Sequence, residues 1–307
     1  MKNLLHYQIL KTLGRGKHGE TFMAIDTGLQ RPVAIKHLHT PLPGGKFRER
    51  FQDDMQRITA LNQPTIAAFY SIEDIEGEQY LIREYIEGHT VAELARSRRL
   101  TFDRVLRLLI DAARALQSLH GHDSAHLNIT PTNFFVTRDG SGRLADAGLA
   151  YGVTRRIDDD SKARDLVYLA PEQIMGIDVD GQTDFYSLGV VMYEMLTGRP
   201  MYEANSREQL TRSIRHESIS LEADELSAVP GEARLVLERM LARDPADRFA
   251  SASELLITLN EMASFHVSEM RAELTSTSRR DPRWYILLTV LAALLMILWL
   301  VVTTVYR

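Results

Sequence analysis

The sequence predicts an α+β protein of two lobes, a small β-rich lobe with one helix and a larger helical lobe, followed by a single transmembrane helix. Three observations predict it. Up to about residue 86 the apolar residues fall in short alternating or β-branched stretches, the period-two pattern of half-buried strands. After Gly88 they recur three or four apart over long stretches, the spacing of amphipathic helices. Near the end, residues 284–305 form an apolar run without charge. At about 1.5 Å rise per residue that run is long enough to cross a hydrocarbon core of roughly 30 Å. The expected organisation is a folded domain over 1–265 with its lobes meeting near residues 86 and 87, a juxtamembrane linker over 266–283, the span over 284–305, and a short tail of 306–307.

Composition narrows the function classes. The chain has 36 Lys and Arg against 41 Asp and Glu, with 45% hydrophobic and 25% charged residues, so whole-chain disorder and a basic coat for nucleic acid are both excluded. Cysteine is absent, which excludes disulfides, thiolate catalysis, zinc–thiolate centres and thiol redox switching.

Taken in order, the strands of the small lobe are YQILKTL (7–13), ETFMAID (20–26), PVAIKHL (32–38) and QYLIREYI (79–86). Between the last two, FRERFQDDMQRITAL (47–61) puts Phe47, Phe51, Met55 and Ile58 on one helical face. The large lobe follows with FDRVLRLLIDAARALQSLHG, DFYSLGVVMYEMLTG and ARLVLERMLARD, helical in period and with glycine near several ends. Pro and Gly mark loops at 41–45 and 140–142. The more polar 266–283 reads as a helix tail entering a linker. Around the final run, Arg271, Arg279, Arg280 and Arg283 precede it and Arg307 follows. This bias places the N-terminal side in the cytoplasm and the protein in the cell (inner) membrane as a single-pass chain. No folded domain is expected beyond the span. The opening MKNLLHYQILK, interrupted by His6, Gln8 and Lys11, does not read as a secretory signal, so none is expected.

Gly14, Gly16 and Gly19 lie between two predicted strands. A dinucleotide-binding fold would set such glycines at the start of a helix, so their context points to a hairpin over phosphates. On the next strand Val33, Ala34, Ile35 and Lys36 bring an amine toward the same place. Then come HLNITPTN (126–133), ADAG (145–148), APE (170–172), TDFYSLG (183–189) and DPADRF (244–249). In these motifs and in their order, over roughly residues 7–260, the chain resembles the eukaryotic-like protein kinase family in its bacterial Ser/Thr form.

The resemblance implies a two-lobed protein-kinase-like fold that takes ATP and Mg²⁺ between the lobes. Gly14, Gly16, Gly19, Ala34 and Lys36, with the hinge from Glu84 to Ile86, would line the nucleotide. Asn133 and Asp146 would hold the metal. Asp54 is the implied helix acid paired with Lys36, with Glu49 or Asp53 taking that place under a shifted alignment. Glu172 would pair with Arg248, and His126 would be structural.

Several positions depart from the family pattern. Asn128 stands where active members carry the catalytic Asp, and a neutral amide can orient a hydroxyl but cannot act as its base. Thr130 replaces the loop lysine, so one positive charge near the transferring phosphoryl group is missing. Leu127 replaces the neighbouring arginine, Arg164 and Asp165 fall on the substrate-side Gly-Thr pair, and Ala147 replaces the packing phenylalanine. Arg83, just before the hinge, either crowds adenine or pairs with Asp54 or Asp146, and Phe135 stands under the adenine position. The expectation is a membrane-anchored cytoplasmic pseudokinase that binds nucleotide and signals as a scaffold or as an allosteric partner of an active kinase or membrane complex. The alternatives are a weak or unconventional Ser/Thr kinase and a nucleotide-free interaction module. No nucleic-acid partner is expected.

Overall fold

A computed structural model of the chain describes residues 3–16, 19–42, 44–98, 100–148, 166–203, 206–216, 226–227 and 229–279. It divides into two compact units, Met1–Asn260 and Glu261–Arg307. The first unit opens with six antiparallel strands, β1 (Asn3–Leu4), β2 (Tyr7–Gly16), β3 (Gly19–Asp26), β4 (Arg31–Leu38), β5 (Phe69–Ile75) and β6 (Glu78–Glu84). Their spatial order is β1-β2-β3-β4-β6-β5. Because β4 is flanked on both sides, Val33, Ala34 and Ile35 are all buried in a continuous apolar run instead of alternating. Tyr7, Ala24, Val33, Ile35 and Ile82 form one core cluster of this lobe.

Helix α1 (Lys46–Ala60) is inserted before β5, and Phe51, Met55 and Ile58 are buried at the spacing that predicted the helix. Phe51 meets Phe69 of β5 edge-on, ring centroids 6.1 Å apart. Strand β5 was not among the expected strands. A bulge between Phe69 and Ser71 shifts its register against β6, and such a shift breaks the alternation on which strand recognition depends.

The large lobe begins with three short antiparallel strands, β7 (Gly88–Thr90), β8 (Phe134–Thr137) and β9 (Gly142–Leu144). Helix α2 (Val91–Arg96) starts in a capping box between Thr90 and Glu93, with bonds of 3.2 and 2.9 Å. Helices α3 (Phe102–His120), α4 (Pro171–Met175), α5 (Gly181–Thr197), α6 (Arg207–His216), α7 (Gly231–Met240) and α8 (Ala252–Arg279) follow. Every residue of α5 from Thr183 to Met192 is buried, as befits a helix enclosed by its neighbours. It ends at Gly198, whose φ of 71° is the left-handed stop that favours glycine.

Arg248 joins the parts of this lobe. Its guanidinium forks onto Glu172 at 2.6 and 2.9 Å and donates to the carbonyls of Ala242, Gln182 and Arg243. Paired and saturated in this way, a charge that is 1% exposed is tolerated in the interior.

Where a helix tail entering a linker was expected, α8 stays helical to Arg279. Among the described residues no helix is long and apolar enough to cross a membrane. The expected span 284–305, together with Arg164 and Asp165, lies outside the described residues.

Candidate functional site

The site is built outward from Asp184 on α5. Its buried carboxylate accepts the backbone N–H groups of His126 at 2.7 Å and Leu127 at 2.6 Å, and the His120 ring at 2.9 Å. Leu127 is held at φ 56°, a left-handed conformation uncommon for non-glycine residues, and its carbonyl accepts Gln173 Nε2 of α4 at 3.2 Å. The segment from His126 to Asn128 is thus pinned by two helices. The His126 ring is fully buried, and burial pushes its pKa below the ordinary value. Among the described residues its Nε2 has no hydrogen-bond partner.

Asn128, on that pinned segment, donates from Nδ2 to the Asp146 carbonyl at 3.2 Å, and Asn133 Nδ2 donates to the Asn128 carbonyl at 3.0 Å. Asn128, Asn133 and Asp146 are therefore brought together. Thr130 is turned to the surface, where its hydroxyl meets that of Thr132 at 2.9 Å.

Asp146 is the hub. Its side chain is 1% exposed, and both carboxylate oxygens are engaged by cations: Lys36 Nζ holds Oδ2, and Arg83 Nε donates to Oδ1 at 2.8 Å. Arg83 Nη1 donates to the Glu84 carbonyl at 2.9 Å, and the guanidinium lies 5.5 Å from the centre of the Phe135 ring. Of the three alternatives for Arg83, the structure shows the pairing with Asp146. This arrangement does not fit a divalent ion at Asp146, because two positive groups already occupy its oxygens and would repel a third. Among the described residues no three His, Asp or Glu side chains cluster as metal ligands.

The helix acid is placed differently from the expectation. Lys36 pairs with Asp146, while Asp54, with its side chain 38% exposed, lies 4.0 Å from Arg57 on its own helix. Phe51, Met55 and Ile58 face the core, and one residue of helix turns a side chain about 100° away from that face. Asp53 and Glu49 are exposed. At the turn formed by Asp146, Ala147 and Gly148, Met55 fills the region where a large side chain at 147 would pack. A Cβ on Gly148 would come within 2.7 Å of Met55 Cε. Only about 20 Å³ remains between Met55, Ile58, Phe69, Leu81, Arg83 and Ala147, room for about one water.

Toward the front of the cleft, Gly16 pairs with Gly19 across a hairpin. A Cβ at Gly19 would lie 1.9 Å from the His37 carbonyl oxygen, so that glycine is required by the fold. Among the described residues a Cβ at Gly14 or Gly16 would meet nothing within 4 Å, which leaves their backbone open. Ala34 lies opposite Arg83 in the sheet, and Ile86 is buried.

The Glu84 carboxylate is not directed to a ligand: it forks onto Arg143 of β9 at 2.6 and 2.7 Å and accepts the Ala68 N–H at 3.2 Å. Burial pushes the Glu84 pKa up, but Arg143, the Ala68 N–H and the charge of Arg83 outweigh it and hold the group below its usual range. Arg143 had no sequence signal, since it sits on a three-residue strand beside a turn.

The sequence profile described as "Protein kinase domain" matches residues 7–258. "Probable serine/threonine-protein kinase SCO3848" of Streptomyces coelicolor is 32% identical over 268 residues, covering 82% of this chain and 39% of the relative. "Serine/threonine-protein kinase PknB" of Mycobacterium tuberculosis is 28% identical over 293 residues, covering 89% of this chain and 45% of the relative. PknB of Mycobacterium leprae is 29% identical over 296 residues with the same coverage. The chain thus spans less than half the length of these curated relatives.

Proposed function

The chain belongs to the protein kinase family, and from that premise we propose that it is an ATP-binding signalling protein of the Ser/Thr kinase type whose phosphotransfer to hydroxyl groups is strongly slowed. The observation that carries this reading is the convergence of Lys36, Asp146, Asn133 and Asn128 on one buried locus in which the base position holds a carboxamide. The relatives' names support a Ser/Thr transferase.

Lys36 and the backbone at Gly14 and Gly16 would hold the phosphates, and the Asn128 amide would orient the attacking hydroxyl. In the transfer, the substrate oxygen bonds to the γ-phosphorus as the bond to the β-phosphate oxygen breaks, and the hydroxyl proton passes to a phosphoryl oxygen or solvent, since no carboxylate stands at 128. Positioning and electrostatics carry most phosphoryl-transfer catalysis, so loss of the base slows the reaction without forbidding it.

A second reading, signalling by contact alone as a scaffold or allosteric partner of an active kinase or membrane complex, is favoured by Asn128 itself. In both readings we propose that residues 284–305 anchor the protein in the cell membrane with the kinase domain on the cytoplasmic side. Transfer of labelled phosphate from ATP to the full chain and to added Ser/Thr protein substrates tests the choice. Slow transfer lost in Lys36→Met supports the first reading. Incorporation no greater than in Lys36→Met removes it in favour of the second.

A further inference from the structure

Arg83 has no part in the transfer described above, yet it is buried beside the one carboxylate on which the site converges. Its side chain is 8% exposed, that of Lys36 is 10% exposed, and the two cations share a single Asp146. The cluster therefore carries one surplus positive charge inside the cleft. It also carries unused donors. The described hydrogen bonds of Arg83 engage Nε and Nη1 and leave Nη2 over. Among the described residues the hydrogen bond of Lys36 is to Asp146, which leaves two of the three ammonium N–H groups. Desolvated cations with spare donors attract an anion, and a guanidinium matches the paired oxygens of a phosphate. The same cations oppose a second cation at Asp146.

We propose that Lys36 and Arg83 together bind the nucleotide phosphates directly, so that this protein takes ATP without a divalent metal, with Arg83 supplying the positive charge that an ion at Asp146 would bring. The proposal rests on the ATP-binding reading above and adds to it the state in which the nucleotide enters.

Titration calorimetry of ATP into the purified full chain tests it, once in EDTA and once in excess MgCl₂, for the wild type, Arg83→Met and Arg83→Lys. The expected result is wild-type binding in EDTA at least as tight as in MgCl₂. Loss of the charge-assisted bonds should weaken Arg83→Met about tenfold or more in EDTA, while Arg83→Lys keeps most of the affinity. Wild-type binding that requires Mg²⁺, or Arg83→Met binding equal to wild type in EDTA, would overturn the proposal and leave the ATP-binding reading intact. Absence of ATP binding by the wild type in both buffers overturns the two together. If Arg83→Met fails to fold, as judged by its circular dichroism melt, the wild-type comparison of the two buffers and the Arg83→Lys variant still decide.

Discussion

At Asn128 one atom decides the chemistry: a carboxamide nitrogen donates to the Asp146 carbonyl where a carboxylate oxygen would accept a proton. Replacing it tests both roles at once. Asn128→Asp is expected to raise the transfer rate about 10²-fold, the lower end of what a positioned base contributes, with Thr130 still lacking the cation that completes the loop. The same change removes the 3.2 Å bond and sets two oxygens against each other, so stability should fall by about 1 kcal/mol. Labelled-phosphate transfer reads the first effect and a thermal melt the second. The Asn itself was legible, because its neighbours His126 and Asn133 fix its place in an ordered motif. Of the partners of Asp146, Arg83 was legible only as one alternative among three, and Lys36 was assigned to Asp54 instead. Lys36 and Arg83 lie 110 and 63 residues from Asp146 in the chain, and no local pattern says which of several nearby acids each cation will choose.

Between α1 and the turn at Asp146, packing replaces an ion pair. The spacing of Phe51, Met55 and Ile58 already contained this result: a helix that buries those three turns Asp54 to its rim. Motif alignment pointed to Asp54, and the period of the apolar residues, followed strictly, would have argued against it. Met55 also accounts for Ala147. With about 20 Å³ left at the turn, a phenylalanine at 147 has no space, so Ala147→Phe is expected to destabilise by about 1–3 kcal/mol through overpacking. Adding Met55→Ala should recover part of that loss, making the double variant more stable than the sum of the single effects by about 0.5–3 kcal/mol. Melting temperatures of the two single variants and the double variant check it; strict additivity would mean that Met55 and residue 147 do not compete for one volume. Strand β5 escaped the sequence for a related reason, since its bulge at Phe69 to Ser71 moves the side-chain pattern out of phase.

For the molecule as a whole, the lobes meet through more than the hinge. Glu84 at the end of β6 grips Arg143 of β9, and Leu144 exchanges backbone bonds of 2.8 Å with Thr65 and Ala67. Because the folded protein holds the Glu84 carboxyl below its ordinary 4.5, the pair's contribution is complete above that pH and fades as pH falls through the lower, folded value. The melting temperature of Glu84→Gln should therefore lie below that of the wild type near neutrality, and the gap should close in acid. An unchanging gap would remove Glu84 from the acid response. The two-lobed division was legible because the apolar period changes near residue 86; this strut was not, because it joins single residues 59 apart. Asp184 adds a consequence in time. The backbone it grips at His126 lies 58 residues earlier in the chain. On a ribosome moving about 5–20 residues per second, the loop is made roughly 3–12 s before its anchor. The small lobe's sheet is complete in sequence by Glu84, so it can assemble during that interval. The catalytic loop lacks its Asp184 anchor until α5 emerges, and a nascent chain halted before Asp184 would carry every nucleotide-site motif without the carboxylate that sets His126 to Asn128 in place.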